Sequence, residues 1–440
     1  PELDSEDLRA LPILQTRIVP RFSVRDMPPP NELGAPASLS SWYPYQADAF
    51  QFAYESKKRH VGIGLATGGG KSLLAFLLGN MSKGRTLILT HRIGLAHQYA
   101  RTFNIAEVHG HRNYDSIEDY RQALLVASWS NVVVSNYSMW LSSQAFGGQP
   151  LGHFDSLVLD EGHLVWKSLG DFLSVELDRD TLERRWKIRW PGNAAGDDPL
   201  DWKKWAVVTA LPVVRRRIKE GTFGFKEEEE LAALRGRLEV LATMEGEWVC
   251  ERSGASVKLS KVWPGEQAEK YLFCGVEKVY WVSATLRPRL MELLNVDGGN
   301  TVFAEWPHPF RRELRPVWWV PTIRAVESRA TPEDWAFWVS RIDQLISRGG
   351  DKTLGLVHTV SYKRARLVLD TSEWRNDGIL VTHEPRDTTD VVANFLRLAP
   401  PRVLVSPVLV TGWDLGAIKW QVIGKLPFTS GRDAVSQARK

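Results

Sequence analysis

Short runs of consecutive apolar residues recur along the chain, separated by stretches whose apolar positions repeat every three or four residues. The runs at 60–65, 86–90, 131–135 and 156–160 suit strands buried on both faces, and the stretches between them suit crossover helices. From Trp42 to about Trp166 this alternation predicts a parallel sheet covered by helices. The character changes over 167–270, which is charged and rich in tryptophan. There Leu231, Leu234, Leu238 and Leu241 fall at helical spacing behind the acidic run 227–230, and acids at a helix start suit its dipole. That stretch reads as a largely helical insertion. The α/β pattern resumes at 278–283, and a Pro-containing connection follows at 306–321. A second α/β unit begins near Pro332, with strands around 353–358, 379–382, 402–406 and 420–423. The expected division is an N-terminal arm at 1–40, a first lobe at 41–166 that returns at 271–305, the insertion at 167–270, a linker at 306–331 and a second lobe at 332–440.

The run 65–72, Leu-Ala-Thr-Gly-Gly-Gly-Lys-Ser, lies between a strand pattern and a strong helix former. Gly68, Gly69 and Gly70 let backbone N–H groups converge at a helix N-terminus, behind Thr67. Lys71 can reach β- and γ-phosphates, and Ser72 can hold Mg²⁺, so the run reads as a phosphate-binding P-loop for ATP. The usual first glycine falls at Leu65. A nucleotide hydrolase also needs a carboxylate pair at the end of a neighbouring strand. Asp160 and Glu161 in Leu-Asp-Glu-Gly-His supply it: Asp160 to hold Mg²⁺, Glu161 to act as general base, and His163 to sense the nucleotide.

Composition narrows the picture. The 440 residues are 43% hydrophobic, enough for more than one core, with no transmembrane run or secretory signal. The two cysteines, Cys250 and Cys274, have no partner at metal-ligand spacing, which argues against a zinc or iron–sulfur site and fits a cytoplasmic protein. A net charge of +4 names no partner, but residues 181–220 hold ten Lys or Arg against five acids. A surface for nucleic acid and a solvated helical face both fit that run. His91, His97, His109 and His111 include the pair in His-Gly-His. With no cysteine or acid cluster beside them, they read as surface or locally hydrogen-bonded residues rather than a metal site. Most of the 19 tryptophans are expected in cores, with Trp413 the first candidate for base stacking and Trp140 and Trp166 weaker ones.

Taken together, "ATGGGKS" and "DEGH" resemble a superfamily 2 helicase. Gln46 in Tyr-Pro-Tyr-Gln resembles the upstream glutamine motif, which implies a contact with the adenine edge. Residues 86–92, ending in His91 and Arg92, resemble the motif that grips one strand's backbone. Ser283-Ala284-Thr285 matches the "SAT" motif that couples hydrolysis to strand movement. Asn136, in Ser-Asn-Tyr, is similar to an element of the XPD/DinG branch. Residues 406–428 are similar to that branch's motif V region, which implies working roles for Thr411, Gly412 and Asp414 at a cleft between lobes.

The resemblance covers roughly 42–430 and implies two RecA-like lobes with an arch-like insertion. The implied activity is an ATP- and Mg²⁺-dependent helicase, a monomer moving 5′→3′ on single-stranded DNA and opening forks or duplex by cleft closure. RNA remains open as a substrate. Two rivals stand beside it: a double-strand DNA translocase, suggested by "LTHRIGLAHQ", and a nucleotide-gated nucleic-acid-binding protein that does not unwind. The chain lacks the four cysteines that XPD-like enzymes usually carry between P-loop and acidic box, so no iron–sulfur cluster is expected and phage-type relatives fit better. The branch's last motif, Gln-x-x-Gly-Arg-x-x-Arg, is expected beyond Lys440. A polypeptide without it is expected to bind ATP but hydrolyse it slowly, since an arginine finger contributes about three to five orders of magnitude in related enzymes.

Overall fold

A computed structural model describes residues 27–145, 147–191, 197–221, 224–311, 313, 316–322, 329–349, 353–409, 415–425 and 434–439. The chain divides into two compact units at Pro309/Phe310, and the C-terminal segment from Gly431 belongs to the first.

The first unit is built on a seven-stranded sheet. Its strands are β1 (His60–Gly64), β2 (Thr86–Thr90), β3 (Ala106–Val108), β4 (Val132–Asn136) and β5 (Ser156–Asp160), joined later in the chain by β9 (Lys278–Ser283) and β10 (Thr301–Glu305). Every pairing in it is parallel, in the order β10-β1-β9-β5-β2-β4-β3. Alternate residues of a strand face opposite sides, and the two cores follow that rule. Leu87, Leu89, Leu157, Leu159 and Trp281 enter one core. Ile88, Val158, Tyr280 and Val282 enter the other, with Val61 and Ile63. This is why the strand sequences are continuously apolar.

The helices of this lobe are α1 (Pro44–Glu55), α2 (Lys71–Met81), α3 (Ile93–Phe103), α4 (Ile117–Trp129) and α5 (Tyr137–Ala145). Residues Leu73 to Gly79 of α2 are all buried, as expected for a helix that is apolar all round. It packs against α1 and against β2, β5 and β9.

Between β5 and β9 lies the insertion. Its helices are α6 (Val165–Leu173), α7 (Pro199–Trp205), α8 (Leu211–Glu220) and α9 (Phe225–Ala242). Beside them stands an antiparallel sheet of β6 (Val175–Asp178), β7 (Trp248–Ser253) and β8 (Ser256–Lys261), which the helical reading of this stretch did not include. β7 opens on three apolar residues and closes on Glu251-Arg252-Ser253, and Lys258 interrupts the apolar residues of β8, so neither shows a clear period of two. The insertion has its own core, in which the leucine stripe of α9 meets Trp186, Trp202 and Trp205. The rings of Trp190 and Trp202 meet edge to face at 4.9 Å, a favoured aromatic geometry. A short helix α10 (Pro288–Glu292) follows β9.

The second unit is a smaller α/β layer. Helices α11 (Pro332–Gly349), α12 (Tyr362–Thr371) and α13 (Thr388–Phe395) accompany strands β11 (Leu354–His358), β12 (Leu380–Val381), β13 (Arg402–Ser406) and β14 (Ile418–Ile423). The strands pair in parallel in the order β12-β13-β11-β14. The last helix, α14 (Ala434–Ala438), packs on β7 in the first unit, where Ala434 N donates to Glu251 Oε1. No helix among the described residues is long and apolar enough to cross a membrane.

Candidate nucleotide site

The loop between β1 and α2 is shaped by its glycines. Gly68 and Gly70 have φ of 76° and 79°, a region that residues with a Cβ rarely adopt. Gly69 is held by close packing instead: a Cβ there would lie 2.8 Å from the Ala66 carbonyl oxygen. Gly70 caps α2 without any side-chain hydrogen bond, so the first N–H groups of α2 are left for an anion. Leu65, where the general pattern has glycine, is buried, and its N–H donates to Ser283 O at 3.0 Å. That residue continues the strand pairing, so it needs no unusual backbone conformation.

Gln46 sits in the first turn of α1 and is almost fully buried. Its Oε1 accepts from Tyr43 N–H at 3.1 Å, and its Nε2 donates to Gly69 O at 2.9 Å. The residue expected to read an adenine edge thus also fastens the P-loop to α1.

Asp160 ends β5 and is 3% exposed. Its Oδ2 accepts from the Tyr99 hydroxyl at 2.9 Å, and its Oδ1 accepts from Glu161 N–H at 2.9 Å. The Ser72 side chain lies beside the same hydroxyl, so one buried phenol stands between the two residues expected to hold Mg²⁺. Both offer hard oxygen donors, which is the chemistry Mg²⁺ prefers. Tyr137 supports the same residue, its hydroxyl donating to Asp160 O at 2.8 Å. Neither tyrosine was among the sequence candidates. The available signal was a hydroxyl-bearing ring on the apolar face of α3, since such a group usually finds a buried partner.

Glu161 adopts φ 50°, a strained conformation for a residue with a side chain. His163 Nδ1 lies 2.8 Å from Ser283 Oγ and 3.3 Å from Glu161 Oε2. Ser283 Oγ also accepts from Thr285 N–H at 3.2 Å. The structure therefore links the "SAT" hydroxyl to the acidic box directly. Burial and the neighbouring Glu161 charge push the Asp160 carboxyl up to about 6, against the opposing pull of Tyr99, the Glu161 N–H and Lys71. Burial raises Glu161 too, but His163, Lys71 and Ser283 together hold it below the ordinary glutamate value.

The raised Asp160 value has a signed consequence for metal-free protein. Its folded pKa lies above the ordinary 3.8, so the proton-bound form favours the fold. That stabilisation, roughly 3 kcal/mol for a shift of about two units, is fully present below about pH 4 and lost as pH rises through about 6. Glu161 has a lowered pKa and acts in the opposite sense, at and below its ordinary 4.5, outside this window. In chelator, wild-type protein is expected to lose stability relative to Asp160→Asn between about pH 4.5 and about pH 6.5. Parallel melting curves at every pH would contradict the raised carboxyl.

The residues expected to touch nucleic acid are partly gathered. His91 and Arg92 follow β2 and Asn136 ends β4, neighbouring parallel strands, so all three sit at the same end of the sheet as Asp160. His91 Nδ1 lies 3.4 Å from Ser168 Oγ, and burial together with Arg92 and Lys167 lowers its pKa. Burial also lowers Arg92, which stays cationic at neutral pH. Asn136 Oδ1 accepts from Met139 N–H at 3.0 Å and so caps α5. Thr411, Gly412, Trp413 and Asp414 lie outside the described residues.

The basic run of the insertion is interleaved with acids. Arg184 pairs with Asp180, Arg185 with Glu230, Lys204 with Asp201, Arg215 with Glu239 and Arg216 with Glu220. These pairs fit a solvated face, where each is worth little energetically. Trp140 is a core residue whose Nε1 donates to Leu272 O at 2.7 Å, which removes it as a stacking candidate. The Arg439 guanidinium lies 4.0 Å over the Trp166 ring.

Residues 43–177 match the family model described as DEAD/DEAH box helicase. The matched segment contains Gln46, the P-loop and the acidic box, and spans less than a third of the chain. A search of curated protein sequences finds no significant match. Among solved structures, S. tokodaii Xpd4 is 14% identical with a TM-score of 0.55, covering 90% of this chain and 86% of that one. An apo XPD structure is 12% identical with a TM-score of 0.52 (87% and 83% covered). A further XPD helicase structure is 12% identical with a TM-score of 0.51 (83% and 80% covered). Identities this low establish a shared fold alone, built on two parallel α/β layers.

Proposed function

We propose that this chain, an XPD-like superfamily 2 helicase by its matched domain and its fold, is an ATP-dependent motor that moves on single-stranded DNA and unwinds duplex ahead of it. The observation that carries the reading is one chain of polar contacts. It runs from Tyr99, beside Ser72, to Asp160 and Glu161, and on through His163 to Ser283. The chain of contacts joins acidic box and coupling motif beside the phosphate-binding loop, as a motor needs if the state of the nucleotide is to move a strand. Lys71 and the N–H groups of α2 would hold the ATP phosphates. Ser72 and Asp160 would hold Mg²⁺, which when bound would neutralise charge on those phosphates. Glu161, kept ionised by its neighbours, would take the proton of the attacking water. His91, Arg92 and Asn136 would contact the strand's backbone, with Thr411 and Trp413 assigned the same role and Gly412 and Asp414 a role at the nucleotide. Resemblance to the XPD branch favours DNA over RNA and movement 5′→3′.

The test is ATP hydrolysis measured with no nucleic acid, single-stranded DNA, duplex DNA and single-stranded RNA in parallel. Stimulation by single-stranded DNA, followed by strand displacement from a 5′-tailed duplex, is expected. Stimulation by duplex alone would replace the reading with the double-strand translocase. ATP and DNA binding without hydrolysis would replace it with a nucleotide-gated binding protein.

A further inference from the structure

Away from the nucleotide site, α3 and β3 bring together two histidines and a carboxylate. His97 lies in the middle of α3, and the chain turns back through Asn104, which has φ 51°. Glu107 then stands in β3 and His109 just beyond it, two residues apart and so on one face of the extended chain. His97 Nδ1 is 2.7 Å from Glu107 Oε2, and His109 Nε2 is 3.5 Å from the same oxygen. One ligand atom from each residue lies within 4.8 Å of the others.

The His97–Glu107 contact alone would be an ordinary ion pair. His109 is what it leaves unexplained. Its side chain is 2% exposed, and neither ring nitrogen has a hydrogen-bond partner. A buried polar atom left without a partner costs about 1–3 kcal/mol, and native folds rarely leave one so. Glu107 Oε2 is the nearest acidic atom and stands just beyond hydrogen-bond reach.

We propose that His97, Glu107 and His109 form a site for a divalent transition-metal ion, zinc foremost, through His97 Nδ1, Glu107 Oε2 and His109 Nε2. Two imidazoles and one carboxylate are ligands for zinc and its neighbours rather than for Mg²⁺ or Ca²⁺, which take oxygen. Zinc bonds of about 2.0–2.2 Å place tetrahedral ligand atoms roughly 3.3 Å apart. The present spacings bracket that value, so modest side-chain rotation closes the site. His97 and Glu107 are partly exposed, which leaves the fourth position to water. The ion would clamp α3, the helix that carries Tyr99, to the edge strand β3. Sequence spacing alone favoured local hydrogen bonding for these histidines. The carboxylate that changes the reading is Glu107, which the turn after α3 returns to His97.

The test uses the full chain, stripped with chelator and dialysed. Zn²⁺ is titrated against a chromogenic chelator without nucleotide, with elemental analysis of the product and the visible spectrum of the Co²⁺ form. Wild type is expected to hold one ion per chain, and Co²⁺ to give the intense bands of a four-coordinate site. His97→Ala and Glu107→Gln change partly exposed residues, so circular dichroism should be unaltered. Each is expected to weaken zinc at least tenfold and to lose the Co²⁺ bands. Asp160→Asn is expected to keep both. Absence of stoichiometric zinc, unchanged affinity in His97→Ala and Glu107→Gln, or loss of the ion in Asp160→Asn would overturn the assignment.

Discussion

Glu161→Gln is expected to slow nucleic-acid-stimulated ATP turnover by about two to four orders of magnitude while leaving ATP affinity within a few-fold of wild type. The substitution keeps size and hydrogen-bonding reach, but an amide cannot take a proton from water. The parts that would hold ATP are untouched: Gly68 and Gly70 keep their backbone conformation, and Lys71 stays at the start of α2. Backbone strain does not confound the comparison, because glutamine and glutamate meet the same penalty at φ 50°. A second signature accompanies the first. The Glu161 charge is one of the forces that raise Asp160, so the variant should move the Asp160 titration in metal-free protein toward lower pH. Single-turnover hydrolysis and binding of a fluorescent nucleotide analogue measure the two effects separately. Hydrolysis within tenfold of wild type would remove Glu161 from the role of general base.

Features fixed by neighbours in sequence could be read from it, and those fixed by folding could not. Strands β2, β5, β9 and β13 stand at the residues their apolar runs mark, because a parallel strand covered on both faces has nowhere to place a polar side chain. The edge strands β3 and β10 were not anticipated. β3 has only three residues, two of them partly exposed, and β10 stands at the sheet's edge with Val302 only half-buried. In the site, the glycines, the lysine and the Asp-Glu-Gly-His box announce themselves because their chemistry is local. Tyr99 does not, since its partner Asp160 is 61 residues away and only the closed sheet brings α3 over β5. The Gln46 contact with Gly69 likewise crosses 23 residues. Glu107 was overlooked for a different reason. Its distance from His109 is short, but its relation to His97 depends on the turn after α3.

Gly70→Ala is the other change with a large expected effect, and it acts on binding rather than chemistry. At φ 79° an alanine pays about 1–2 kcal/mol for the left-handed conformation. Its Cβ would also meet the side-chain amide of Gln46, whose Nε2 holds Gly69 O at 2.9 Å. Breaking that buried hydrogen bond costs about 1–3 kcal/mol more. The loop can escape both penalties only by leaving its present path, which turns the first N–H groups of α2 away from a common point. Nucleotide affinity is therefore expected to fall by roughly two orders of magnitude or more. The fold should persist, because the residues that anchor the flanking elements, Ile63 in β1 and Leu74 and Leu77 in α2, lie in a core the change does not touch. A double-mutant cycle separates the two causes. Gln46→Ala removes the obstruction but not the backbone conformation, so the pair Gln46→Ala/Gly70→Ala should recover at most part of the loss. Gly236→Ala, in α9 where a Cβ meets nothing within 4 Å, should bind nucleotide as wild type does and be more stable by about 0.5–1 kcal/mol. If Gly70→Ala binds within threefold of wild type, the loop does not hold phosphate in the conformation seen here, and the convergence of N–H groups at α2 would have to be formed by a rearrangement that the ligand induces.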